Sequence, residues 1–320
     1  MVRRGRSDKG FTLVEMVLSL AVLLLICSAG FMSMSQLEKS YLSSTTLGTM
    51  YSTVRNAAGL ITQEVGQAGA VCGAFQTAGT GVPVACSGTT VSAAVATGAT
   101  TVTLASTTGL YAGEKLTFDP DSALGEVVTV GTASGTTVTL PTGKSFSYAH
   151  SSGVPVGVAG LSWRGILVPE STSTTLKLFG DINGDGTLYY VEYNCDFTNG
   201  VLTRSSTPIT ASAKNTADTL IDNLIFIAPT GYTGSSYCFT YVTPTAVGPD
   251  SNGTTYRVAT QVGLLISVQS PNIDPQTKKR WQFTKAFLDL SPRNVVAAYD
   301  LASNSVYSAL QPLPASSWFP

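Results

Sequence analysis

The sequence predicts an α+β chain: a long N-terminal helix, half membrane-spanning and half amphipathic, packed on an antiparallel β-sheet head with an inserted small all-β module. Three observations point there. Residues 11–37 form an apolar run whose only ionisable groups are Glu15 and Cys27. Beyond it the apolar positions recur at steps of three and four. From about residue 159 onward, short segments rich in β-branched and aromatic residues are separated by Gly, Pro, Asn and Ser.

The first run is rich in Leu, Val and Ala and has no proline. At 1.5 Å per residue, 11–37 is long enough to cross a hydrocarbon layer about 30 Å thick. Four basic residues, Arg3, Arg4, Arg6 and Lys9, precede it. A secretory signal peptide has a shorter apolar core, about 7 to 15 residues, closed by a small-residue cleavage site. Here the run is longer and starts directly after Gly10.

The second half of the helix places Leu47, Met50, Tyr51, Val54, Ala58, Ile61, Val65 and Ala68 on one face, with Arg55, Gln63, Glu64 and Gln67 between them. That periodicity marks an amphipathic helix whose stripe packs on a sheet. The first proline is Pro83, so a single helix over residues 11–70 is expected.

In the head, strands are expected over 175–179, 187–193, 201–204, 220–227, 237–242, 257–268 and 280–288. Residues 71–87 and 159–320 form this β head. The tract 88–158 is almost wholly Thr, Ser, Gly, Ala and Val, and its pentapeptide TTVTL occurs twice, 36 positions apart. Short strands near 100–104, 115–118, 126–130 and 136–140 make it the inserted module; two copies are too few for a solenoid.

Charged residues are 12% of the chain, against about 25% in a typical globular domain. Without residues 1–10 the chain has 14 basic and 18 acidic groups, a net charge of −4 that predicts no nucleic-acid surface. Cys27 lies in the apolar run and reads as a small hydrophobe. Cys72, Cys86, Cys195 and Cys238 lie beyond it and read as disulfides. Four cysteines allow three connectivities; proximity favours Cys72 with Cys86 and Cys195 with Cys238.

One stretch has metal-ligand spacing. Asp181, Asn183, Asp185, Gly186 and Glu192 fit D-x-[DN]-x-[DN]-G-x5-E, a calcium loop. The flanks alternate as strands, however, and Asn183-Gly184 and Asp185-Gly186 form tight β-turns without a metal. Two readings stay open: a metal-free hairpin, or calcium held by Asp181, Asn183 and Asp185 with the Thr187 carbonyl. No other cofactor is indicated. His150 has no evident nucleophile partner such as a GxSxG serine, and no HExxH or CxxC site occurs, so the chain does not read as an enzyme. Lys278, Lys279, Arg280 and Trp281 form the basic cluster with an aromatic neighbour, a solvated hairpin tip or a DNA contact.

The segment KGFTLVE, Lys9 to Glu15, followed by the long apolar helix, resembles the type III signal sequence of type IV pilins and pseudopilins. The resemblance implies that residues 1–10 are a leader, that prepilin peptidase cuts after Gly10, and that Phe11 is the mature, methylated N-terminus. It makes Glu15 the fifth mature residue, which in that family pairs with a neighbour's terminal amine during assembly. A carboxylate in an apolar span is unfavourable by about 2.5 to 3.5 kcal/mol, which calls for such a partner.

Segments 160–205 and 218–300, with DINGDGTLYYVEY and WQFTKAFLDL, look like PilW-type minor pilins. The implied partners are other pilin subunits, prepilin peptidase and the inner-membrane assembly platform. The implied location is the inner membrane with a periplasmic head, and then a pilus at the cell surface. The implied roles are adhesion, motility or DNA uptake. Two alternatives are a type II secretion pseudopilin and a DNA-binding receptor of a competence pilus.

Overall fold

Helix α1 runs from Leu13 to Gln67, 55 residues, in a computed structural model that describes residues 12–71, 88–158, 160–250, 253–274, 277–315 and 318. Gly10, Phe11, Cys72 and Cys86 lie outside the described residues. The chain divides into two compact units: Met1–Tyr51 with Ser270–Trp281, and Ser52–Gln269 with Gln282–Pro320. In the first unit the helix is long and apolar enough to cross a membrane, and none of its most apolar stretch is buried. The second unit holds the rest of α1 and every strand among the described residues.

From Ser52 onward the helix buries Val54, Ala57, Ala58, Ile61, Glu64 and Val65, and the turn that follows it buries Ala68. The stripe follows the sequence periodicity with two departures: Tyr51 is 50% exposed, and Glu64, placed by periodicity among the polar positions, is buried at 3%. The helix ends against the head through its backbone. Gly69 adopts φ +82°, donates its N–H to the Phe179 carbonyl and accepts from Ser162. A Cβ on Gly69 would lie 2.6 Å from the Ser162 carbonyl oxygen, so only glycine fits that approach.

In 88–158 the strands are β1 (Thr89–Thr90), β2 (Thr101–Thr103), β3 (Lys115–Phe118), β4 (Glu126–Thr129), β5 (Thr132–Ser134), β6 (Thr137–Thr139) and β7 (Pro155–Val158). They form two antiparallel sheets, ordered β1-β7-β3-β4 and β2-β6-β5. The two TTVTL copies are neighbours: β2 and β6 pair in register, Val102 opposite Val138. Their inward Val and Leu side chains join one hydrophobic cluster that also contains Leu167, Phe179, Leu188 and Tyr190 of the head. The inserted strands therefore share a core with the head.

The head continues with β8 (Leu161–Ser162), then the meander β9 (Thr175–Gly180), β10 (Tyr189–Asp196), β11 (Val201–Pro208) and β12 (Asp218–Asp222), ordered β12-β11-β10-β9. A second sheet centres on β15 (Gln261–Gln269), which pairs antiparallel with β13 (Leu224–Ile225), β14 (Phe239–Val242) and β16 (Gln282–Leu290). The strand expected over 220–227 is split, because Asn223 takes φ +58° and turns β13 out of the first sheet and into the second. Helix α2 (Arg293–Ser303), not anticipated from the sequence, buries Val295, Ala298 and Ala302. Strand β17 (Leu310–Gln311) then pairs parallel with β8. The architecture is a pilin-like α+β fold, a long N-terminal helix followed by a mostly antiparallel head.

Candidate functional site

Two carboxylates on α1 define the regions with a functional reading, and each is held by its own local chemistry. At the N-terminal end, Thr12 and Glu15 form a capping box. The Glu15 carboxylate accepts from the Thr12 N–H at 3.1 Å and from its hydroxyl at 3.0 Å. The Glu15 N–H in turn donates to Thr12 Oγ1 at 3.3 Å. Thr at the cap and Glu three residues on satisfy backbone donors that lack intrahelical partners. TLVE thus starts the helix, a helix-start signal the sequence carries beside its assembly reading. Both residues are exposed.

Glu64, 49 positions further along the same helix, is enclosed by the β9–β12 sheet. Arg204 of β11 clamps it with two nitrogens: Nε donates to Oε2 at 3.2 Å and Nη2 to Oε1. The Tyr193 hydroxyl of β10 donates to the same carboxylate. Tyr193 and Arg204 are directly opposite one another in the β10–β11 register, so one pair of strands presents both groups to the helix. Burial first, then the Glu64 charge, pushes the Tyr193 phenol well up and keeps it a donor. For Arg204, burial pulls the guanidinium down, but the Glu64 contacts outweigh it and the net shift is upward. A bidentate Arg–carboxylate pair with a third donor satisfies the buried charge.

The 181–187 segment is a closed hairpin between β9 and β10. Asp181 accepts from the Asp185 N–H at 3.1 Å and the Gly186 N–H at 3.0 Å. Asp185 accepts from the Thr187 N–H at 2.8 Å and the Tyr189 hydroxyl at 3.3 Å. Burial raises the Asp181 pKa, partly offset by those amides. Asp181 also donates its own N–H to the Ala70 carbonyl at 2.7 Å, tying the hairpin to the chain leaving α1. Every carboxylate oxygen of Asp181 and Asp185 thus takes a bond from the hairpin itself, and a calcium ion at Asp181, Asn183, Asp185 and Thr187 would share those oxygens. Glu192, the twelfth motif position, points elsewhere: Lys214 lies 2.7 Å from its Oε1, and Tyr190 donates to Oε2 at 2.5 Å. Among the described residues no group of three or more His, Cys, Asp or Glu is clustered for a metal.

Cys195 of β10 and Cys238 are joined by a disulfide that ties the first sheet to the second. Cys27 is free and exposed on α1. His150 is buried between Phe118 and Phe146, its Nε2 2.9 Å from Glu126 Oε1. Burial raises the Glu126 carboxyl, but the Ser147 and Tyr148 amides and His150 outweigh it and hold it below the usual carboxylate range. The Glu126 carboxylate also takes the Ser147 N–H at 2.8 Å and a bond from the Ser147 side chain, so the pair packs and ties the inserted strands. In the basic cluster, Arg280 is engaged within the hairpin, its Nη1 donating to the Ser270 carbonyl at 3.0 Å and the Pro271 carbonyl at 2.7 Å, whereas Lys278 and Lys279 are exposed.

Residues 5–31 match the family described as Prokaryotic N-terminal methylation motif. No curated protein and no solved structure matches the chain. The matched motif spans Gly10, Phe11, Thr12 and Glu15. It supports a type IV pilin-like or pseudopilin subunit, and suggests a structural subunit rather than an enzyme. It implies processing by prepilin peptidase and assembly with other pilins. With the apolar half of α1, it fits a protein anchored in the inner membrane and later assembled into a filament.

Proposed function

We propose that this chain is a PilW-type minor pilin, cut after Gly10 and assembled through its N-terminal helix at the tip or priming complex of a type IV pilus. The observation that carries this reading is the methylation motif over residues 5–31 leading into a 55-residue helix whose apolar half is unburied. The helix's most apolar stretch is left unburied by the described residues, and lipid or other helices would cover it. Glu15 supplies the assembly contact: in a low-dielectric bundle a neighbour's terminal ammonium would satisfy its carboxylate.

The inserted strands support a tip position over a shaft. A shaft subunit has copies above and below it and tolerates an additional sheet pair only where the strands point outward, whereas a tip subunit has no copy above it. On this reading the 88–158 strands face outward and make surface contacts for adhesion, motility or DNA uptake.

A prepilin-peptidase assay on the wild type and Gly10→Val tests processing: the wild type is shortened by residues 1–10 and the variant is not. Retention of the leader in the wild type would remove the reading. Glu15→Val is expected to insert and be cleaved but to enter pili poorly, and normal incorporation would remove the pairing. Immunogold labelling of the 88–158 strands separates positions, with label at filament ends for a tip subunit and along the length for a shaft subunit.

A further inference from the structure

After α2, the segment Tyr307–Leu313 crosses from the head to the inserted strands. On the head side, β17 pairs with β8, Leu310 opposite Leu161 and Gln311 opposite Ser162. On the other side, the fully buried Gln311 side chain treats the Lys115 peptide group as a partner strand would. Its Oε1 accepts from the Lys115 N–H at 2.9 Å and its Nε2 donates to the Lys115 carbonyl at 2.8 Å. Tyr111 donates its hydroxyl to the Pro312 carbonyl at 3.0 Å, and Lys115 Nζ donates to the Tyr307 carbonyl. A Cβ on Gly113 would already meet Pro312 Cγ at 3.4 Å. Tyr111, Gly113 and Lys115, alternate residues at the head of β3, therefore all face this one segment.

We propose that Tyr307–Leu313 is a proton-sensitive latch that fixes the β1-β7-β3-β4 sheet onto the head. The proton-sensitive group is Glu114, which lies among the three latch-facing residues and is 1% exposed. Its carboxyl accepts the Tyr111 N–H at 3.2 Å. Burial raises it to about 8, with the Tyr111 amide pulling the other way. The titratable groups around it give little compensation. Tyr111 is itself raised by burial and then by the Glu114 charge. Lys115 is lowered by burial, which outweighs the Asp250 charge, and its ammonium is directed to Tyr307. Glu114 is coupled to the latch through Tyr111, whose N–H it accepts and whose hydroxyl holds Pro312, and residues 307–313 carry no charged side chain.

Linkage fixes the sign. A carboxyl with a raised folded-state pKa binds its proton more tightly in the latched form. Its contribution is fully present below the ordinary value of 4.5 and is lost as pH rises through about 8. Ionisation would leave a buried carboxylate on Tyr111, the residue that holds Pro312, with no ion pair among the described residues, which favours the open form.

Hydrogen–deuterium exchange of the full chain in detergent, followed on the β3 peptide with β10 as internal reference, tests this. In the wild type, β3 protection corrected for intrinsic exchange should fall roughly tenfold or more between pH 5 and pH 9. Glu114→Gln keeps an acceptor for Tyr111 and should abolish that fall. Gln311→Leu should lower β3 protection about tenfold at pH 5, the effect of losing a buried hydrogen-bond pair, and leave β10 unchanged. Equal β3 protection at both pH values overturns the proposal, as does a fall that persists in Glu114→Gln. Should Gln311→Leu fail to fold, the Glu114→Gln comparison alone decides.

Discussion

The two ends of α1 place a carboxylate in opposite surroundings. Glu15 lies in an exposed apolar stretch and, among the described residues, is held by Thr12, three residues away. Glu64 lies under a sheet and is held by Tyr193 and Arg204, more than a hundred residues away. The first arrangement is local, fixes only the start of the helix, and leaves the carboxylate reachable by another chain. The second is long-range, nearly closed to solvent, and fixes the helix to its own head. One helix thus leaves one carboxylate exposed, the one that the proposed assembly contact would use, and consumes the other in folding.

The largest expected effect on the enclosed end comes from the covalent tie between its two sheets. Cys195→Ser with Cys238→Ser opens a crosslink across a sequence separation of 43. In the chain-entropy account this lowers stability by about 4 kcal/mol, read by denaturant unfolding of the full chain in detergent. Next is the carboxylate clamp. Glu64→Ala strands Arg204 and the Tyr193 hydroxyl and is expected to lower stability by about 3 kcal/mol, while Glu64→Leu with Arg204→Leu and Tyr193→Phe recovers most of it, since well-packed apolar groups replace a buried cluster at little loss. A triple variant no better than the single one would show that the cluster contributes geometry that packing cannot replace. In contrast, Glu15→Ala should change unfolding of the head by less than about 0.5 kcal/mol, since it loses only an exposed cap.

Smaller effects sharpen the hairpin and the inserted strands. Asp181→Ala removes the acceptor of two amides and should lower stability by about 1 to 2 kcal/mol. Calcium titrated into the full chain is expected to give no heat beyond dilution; heat that vanishes in Asp185→Ala would establish the ion there. Glu126 has a depressed folded-state pKa, so its contribution is present above 4.5 and is lost as pH falls through its lower folded value. Glu126→Gln should therefore flatten the acid limb of unfolding followed by exchange in β4, with a loss of roughly 1 kcal/mol at neutral pH.

Much of this was legible because the signals are local. The helix shows as an unbroken apolar run followed by a period-3.6 stripe, and the strands show as alternation between turn residues. The repeated TTVTL marks two strands, which the fold then places side by side. Other features had no local signal. Glu64 looks polar and solvated by its position between stripe residues, and only the arrival of Tyr193 and Arg204 on paired strands makes its burial tolerable. Asn223 looks like an ordinary strand interruption, yet its positive φ hands the chain from one sheet to the other. Helix α2 is short, and its apolar stripe is only Val295, Ala298 and Ala302. Gln311 carries no sequence signal at all, because its role depends on meeting the Lys115 peptide across 196 positions.

The sequence by itself determined the helix, its apolar half, the capping TLVE with its single carboxylate, the motif over 5–31 and the β-rich character of the chain beyond the helix. Each rests on residues within a few positions of one another, where propensity, capping and periodicity act. The tertiary structure alone decided that the inserted strands share the head's core, that Glu64 is clamped, and that the C-terminal segment fastens β3 to β8; it also bears out the Cys195–Cys238 pairing that proximity in the sequence favoured. Those contacts join residues far apart in the chain, and their energies come from desolvation and hydrogen bonds that exist only once the sheets have formed.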